Sequence, residues 1–250
     1  MSTIESVLVE NRVFPPSEAT VKAARISGMD GYNALCKEAE KDFEGFWARL
    51  ARENVLWNKP FTRTLDESNA PFYKWFDDGE LNASANCLDK HIGTPTENKV
   101  AVIFEADDGT VTKTTYKELL ARVSQFANAL KSQGVKKGDR VLIYMAMGIE
   151  GVVAMQACAR IGATHSVVFG GFASHELAAR IDDAKPKIIV SASCGIEPNR
   201  IVKYKPLLDA AIDVAKHKVN RCLILQRPQE IATLVPGRDL DWAEAVKHAS

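Results

Sequence analysis

Ala163-Thr-His-Ser-Val-Val-Phe-Gly-Gly-Phe-Ala-Ser174 is an apolar run that meets a double glycine and then passes directly into a helical pattern. Val167, Val168 and Phe169 read as a buried strand, and Gly170 and Gly171 remove two side chains where the chain must turn. Ser174 stands where a helix N-cap belongs, ahead of Leu177, Ala178 and Ile181 on one face. In an open α/β sheet the loop leaving the carboxyl end of a strand is where ligands bind, because helix N-termini and free amides point there. The glycines would let a flat ligand approach the backbone, with Phe169 and Phe172 beside it. The same residues also suit a plain strand-to-helix turn that needs positive φ, with both phenylalanines in the core, and taken alone they favour that reading.

Outward from this unit the pattern repeats. Val100 to Glu105 and Val111 to Thr114 read as a hairpin turning at Asp107-Asp108-Gly109. Thr115-Tyr-Lys-Glu118 is a capping box opening a helix with Leu119, Val123, Phe126 and Leu130 on one face, and Gly134 ends it. Arg140 to Met145 is a strand, Glu150 to Ile161 a helix apolar nearly all round and therefore buried, and Gly162 its stop. After the opening unit come a strand from Lys187 to Ser193, a helix from about Pro206 to His217, a strand from Arg221 to Gln226 and a short helix from Trp242. Alternating units of this length predict an α/β fold: a doubly wound, mostly parallel sheet with right-handed crossovers and helices on both faces.

Three loops then leave carboxyl ends of strands, at 146–149, 170–174 and 194–203, and two of them can cooperate if their strands are neighbours. The third carries Arg200, whose planar guanidinium suits a phosphate, although a solvated surface arginine fits the residue equally well.

Upstream of residue 99 the reading changes. Pro15-Pro16 breaks the chain before a short helix, and Leu35, Ala39, Phe43, Phe46, Trp47 and Leu50 recur at helical spacing from Gly31 to Glu53, predicting one helix with an aromatic stripe of core type. From Trp57 to His91 the chain is irregular and aromatic, which suits a segment draped over a core it did not build. The predicted division is an extension over 1–98 and an α/β domain from 99 to 250.

Lys plus Arg and Asp plus Glu each total 32, so the net charge is zero and gives no global electrostatic case for nucleic acid or an anionic membrane. No apolar run approaches a membrane span, and Glu5 and Glu10 interrupt the first apolar residues, unlike a secretory leader. Cys36, Cys87, Cys158, Cys194 and Cys222 are scattered and odd in number, which predicts free thiols and a cytoplasmic protein. His91, His165, His175, His217 and His248 share no ligand spacing, and His165 reads as a core histidine rather than a base. The sequence contains no Gly-x-x-x-x-Gly-Lys-Ser/Thr, Gly-x-Gly-x-x-Gly or Gly-x-Ser-x-Gly motif, and it names no catalytic residue and no metal site.

Four stretches together resemble the AMP-forming acetyl-CoA synthetases: Phe61-Thr-Arg-Thr-Leu-Asp-Glu-Ser-Asn-Ala-Pro-Phe-Tyr-Lys-Trp-Phe76, Leu81-Asn-Ala-Ser-Ala-Asn-Cys-Leu-Asp-Lys-His91, Ala157-Cys-Ala-Arg-Ile-Gly162 and His165-Ser-Val-Val-Phe-Gly-Gly-Phe172. Enzymes of that family make an acyl-adenylate from a carboxylate and ATP with Mg²⁺, then transfer the acyl group to coenzyme A. The resemblance implies that Phe169, Gly170 and Gly171 lie against the adenine of coenzyme A and that Arg200 meets its 3′-phosphate. A further arginine of the family's next βα loop is Glu197 here, and a carboxylate cannot bond an ionised phosphate, although its backbone can still face the ligand.

Residues 170–186 and 195–198 look more like propionyl-CoA synthetases, while the N-terminal third favours the acetyl enzymes. The family's phosphate loop, acyl pocket, ATP-binding acids and catalytic lysine would fall after Ser250. The chain is therefore expected to be the N-terminal part of an acetate–CoA ligase, inactive by itself and with apolar surface left open. The alternative is a non-catalytic, flavodoxin-like binding module.

Overall fold

A computed structural model describes residues 12–197, 200–247 and 249. Glu5, Glu10, Pro198, Asn199 and His248, which enter the sequence reading, lie outside the described residues. The chain divides into two compact units, Met1–Val55 with Pro60–Gly79 and Leu56–Lys59 with Glu80–Ser250.

The first unit holds α1 (Glu18–Ala23), α2 (Gly28–Lys41), α3 (Phe43–Asn54) and a small hairpin of β1 (Leu65–Asp66) and β2 (Lys74–Trp75). The single helix expected over 31–53 is two, because Asp42 leaves helical geometry at φ −147°, ψ 84°. Its carboxylate accepts the Gly45 amide at 2.9 Å and so caps α3. The aromatic stripe is not core as predicted: Phe43 and Trp47 are half exposed, and the residues α3 buries are Ala48 and Ala51. Phe43, Trp47 and Trp75 instead meet edge to face, with centroids 5.8–6.5 Å apart.

The second unit opens with α4 (Ala83–Cys87), a 3₁₀ turn over Asp89–His91, and a hairpin of β3 (Val100–Glu105) and β4 (Val111–Thr115). Asn82 caps α4 through the Ala85 amide at 3.0 Å while its own amide donates to the carbonyls of Ala159 and Arg160. The sheet unit follows: α5 (Tyr116–Ser132), β5 (Arg140–Met145), α6 (Ile149–Ile161), β6 (Thr164–Phe169), α7 (Ser174–Ala184) and β7 (Ile188–Ala192). Then come β8 (Cys194–Glu197), β9 (Arg200–Lys203), α8 (Tyr204–Val214), β10 (Cys222–Leu225), β11 (Asp239–Asp241) and α9 (Trp242–Lys247). The capping box is complete, with the Glu118 amide donating to Thr115 Oγ1 at 3.2 Å and the Thr115 amide donating to Glu118 Oε2 at 2.8 Å.

Five strands form one parallel sheet in the order β11-β10-β7-β5-β6. The order reverses between β5 and β7, the point where open α/β sheets make a crevice at their carboxyl ends. Right-handed crossovers put α6 on one face, with α5 and α9, and α7 and α8 on the other. Phe126 of α5 stacks on Trp242 of α9 at 3.7 Å, and β5 and β7, buried on both faces, are the centre of the core. The edge strand β11 went unread in the sequence because it is three residues long and two of them are acidic.

The opening stretch sits elsewhere than its apolarity suggests. β6 is an edge strand, and only Val168 of its last three residues is buried, while Val167 is 56% and Phe169 is 70% exposed. His165 shares their face of the pleat and is exposed too, so it is no core histidine. Ser174 is the first helical residue; the cap position belongs to Ala173, at φ −60°, ψ 154°. None of the helices among the described residues is long and apolar enough to cross a membrane.

Candidate functional site

The glycine turn is built by its neighbours as much as by its own sequence. The Phe172 amide donates to the Phe169 carbonyl at 3.3 Å, and Gly171, third in that turn, has φ +99°, a value that L side chains resist. Gly170 has a different reason. A Cβ placed there would lie 2.5 Å from the Tyr204 hydroxyl and 2.8 Å from the Met145 carbonyl, so the close approach is made by the protein itself. A Cβ on Gly195 would clash with the same hydroxyl. Tyr204 is thus seated between two glycines, and burial pushes its phenol above the usual range, reinforced by Glu197 and opposed by Arg227. Tyr144 beside it donates to the Phe172 carbonyl at 3.0 Å, which ties the turn to β5.

The loop expected over 194–203 is in fact the β8–β9 hairpin, with Glu197 opposite Arg200 in register. The strands before the two loops are not neighbours, since β5 lies between β6 and β7. The hairpin nevertheless reaches the glycine turn: a Cβ on Gly171 would stand 3.9 Å from Glu197 Oε1. Between them opens a cavity of about 550 Å³ at the carboxyl ends of β5, β6 and β10. Phe104, Met145, Met147 and Phe169 supply much of its apolar wall, with Tyr204 and Arg227 as polar groups. Phe169, Gly170 and Glu197 line it, whereas Arg200 does not. The Arg200 Nε and Nη2 groups instead contact Glu197 Oε2 at 2.7 and 2.6 Å, and the arginine side chain is 69% exposed. Glu197 therefore occupies the guanidinium of Arg200 in an ion pair.

Two of the cavity's groups were missed in the sequence. Arg227 follows β10, whose carboxyl-end loop was overlooked among the loops considered, and applying the same rule to that strand finds it. Tyr204 carried no sequence signal, because its role comes from glycines 34 and 9 residues upstream.

With this geometry, the similarity to known proteins becomes interpretable. A family model described as AMP-binding enzyme matches residues 89–246. The chain belongs to the AMP-binding enzyme family. The preceding residues, 32–87, match a model described as acetyl-coenzyme A synthetase N-terminus. It is 57% identical over 98% of its length to an acetyl-coenzyme A synthetase of Thiobacillus denitrificans, covering 37% of that protein. Against those of Ralstonia pickettii and Burkholderia lata it is 55% and 56% identical, over 98% and 97% of its own length and 38% and 36% of theirs. The chain thus spans little more than a third of the curated relatives it matches.

Proposed function

We propose that this chain is the N-terminal part of an acetate–CoA ligase and contributes one side of its coenzyme A site. The supporting observation is the cavity at the carboxyl ends of the sheet, with exposed Phe169 and Gly170 in its wall and Gly171 next to them in the turn. In this reading the adenine lies on Phe169, Gly170 and Gly171, and the 3′-phosphate meets Arg200 in competition with Glu197. In this reading ATP and Mg²⁺, needed to activate the carboxylate, are held by residues of the ligase outside 1–250. Acetate is preferred to propionate because the relatives are acetyl-CoA synthetases. The site operates in the cytoplasm, and residues 1–98 act as the extension to the domain that begins at 99.

Calorimetric titration with coenzyme A and with dephospho-coenzyme A, repeated on Arg200→Ala, tests this. Weak binding is expected, tighter for coenzyme A, with the difference lost in the variant, since a half-built site must still offset the entropy of association. Acetate-dependent exchange between ATP and pyrophosphate should be absent. Failure to bind either ligand would refute the site assignment. The sheet order, 2-1-3-4-5 when its strands are numbered by sequence, is also that of flavodoxin-like binding domains and supports a non-catalytic module as the second reading. That reading predicts no preference for coenzyme A over its dephospho form.

A further inference from the structure

The cavity's lining includes three acidic side chains and one arginine: Glu105 and Asp107 on the β3–β4 hairpin, Glu197 on β8, and Arg227 beyond β10. Their charges are not free to the same degree. Glu197 is held by Arg200, Glu150 beside the cavity floor by Arg122, and Glu230, three residues from Arg227, by Lys203 at 3.0 Å. Those three acids are engaged with other cations, Glu105 and Asp107 sit on the hairpin side of the cavity, and among the described residues no carboxylate forms an ion pair with Arg227. Its guanidinium makes one long contact, Nη1 to the Cys194 carbonyl at 3.4 Å. Its backbone is fixed, with the amide donating to the buried Ser193 hydroxyl at 2.8 Å. A half-buried guanidinium on an anchored backbone, with no carboxylate partner and facing a largely apolar cavity, is arranged to receive an anion from outside the protein.

We propose that Arg227 is the anion-binding group of this cavity and that it takes a phosphate or pyrophosphate group of the ligand. The planar fork of an arginine bonds two phosphate oxygens at once, and the apolar wall of Met145, Met147 and Phe104 strengthens that contact by excluding water. Arg200 is the poorer candidate for this task because it lies outside the cavity lining and is already held by Glu197. The inference rests on the coenzyme A reading only for which molecule carries the phosphate.

The test therefore uses inorganic pyrophosphate and inorganic phosphate, titrated into the chain and followed by phosphorus NMR, with acetate as a carboxylate control. Pyrophosphate should bind, Arg227→Gln should weaken it by roughly tenfold or more, and Arg227→Lys should retain part of the affinity. Thermal unfolding of each variant checks that the fold is kept. No pyrophosphate binding by the parent chain, or equal binding by Arg227→Gln, overturns the proposal. Coenzyme A separates the two readings. Pyrophosphate binding through Arg227 without coenzyme A binding removes the coenzyme A assignment and leaves this one standing. Coenzyme A bound equally by the parent and Arg227→Gln does the reverse.

Discussion

Tyr204 sets the tolerances at the inner wall of the cavity. Its hydroxyl occupies the space that any side chain at position 170 or 195 would need. Gly170→Ala should therefore destabilise the chain by about 1–3 kcal/mol, read as a lower urea midpoint at unchanged slope, because Tyr204 or the Met145 carbonyl must move. A midpoint equal to the parent's would show that the turn has slack. In the proposed coenzyme A site the Glu197–Arg200 pair would bear on selectivity rather than on stability. Exposed pairs contribute little to folding, so Glu197→Gln should leave the midpoint within about 0.5 kcal/mol of the parent. Releasing Arg200 and removing a nearby negative charge should raise the preference for coenzyme A over dephospho-coenzyme A roughly three- to tenfold. Paired titrations that show the preference unchanged would exclude Glu197 as a determinant.

At the level of elements, the join between α8 and β11 is ionic. Lys205, 3% exposed, donates to Asp209 at 2.6 and 2.8 Å and bridges Asp239 at 2.9 Å. Arg238 bonds Asp239 at 2.7 Å and also meets Asp209. Burial alone would raise the Asp239 carboxyl, but bonds from Arg238, the Val235 amide and Lys205 outweigh it and hold the group below the usual carboxylate range. A depressed carboxylate contributes stability that is present above its unfolded pKa, near 3.9, and lost as pH falls through the lower folded value. Asp239→Asn leaves buried Lys205 and partly buried Arg238 short of a partner and should cost about 3–5 kcal/mol at pH 7. Urea midpoints of parent and variant should draw together as pH falls from about 3.9 through the lower folded value, below which both side chains are neutral. A gap that stays constant with pH would assign the loss to packing.

For the molecule as a whole, the decisive feature is the open side of the sheet at β6. That strand, Thr164 to Phe169, contains no charged residue and no proline to block edge pairing. Around it Met147 is 90%, Phe169 70%, Ile103 64% and Val167 56% exposed. The chain should therefore self-associate as its concentration rises, and Val167→Lys should return it to the monomer mass in light scattering. A parent chain that stays monomeric at all concentrations would show that this edge is protected.

Much of the architecture was legible because local signals carried it. The Thr115–Glu118 capping box, the hairpin at Gly109 and the stop at Gly162 depend on residues within one turn of each other, and each forms where the sequence placed it. Periodicity likewise settled the order of strands and helices, and hence the α/β class, but it could not say which strand lies at an edge. Val167 and Phe169 look buried in sequence and are exposed in the fold, because among the described residues β6 pairs only with β5 and one face of its pleat is uncovered. The glycine pair was visible, but the reason for Gly170 was not, since Tyr204 approaches it from 34 residues away. Sequence alone determined which residues turn the chain, because turns and caps are short-range geometry. Tertiary structure decided which residues face the cavity and which acids claim its cations, because both depend on strand order and on contacts between distant segments.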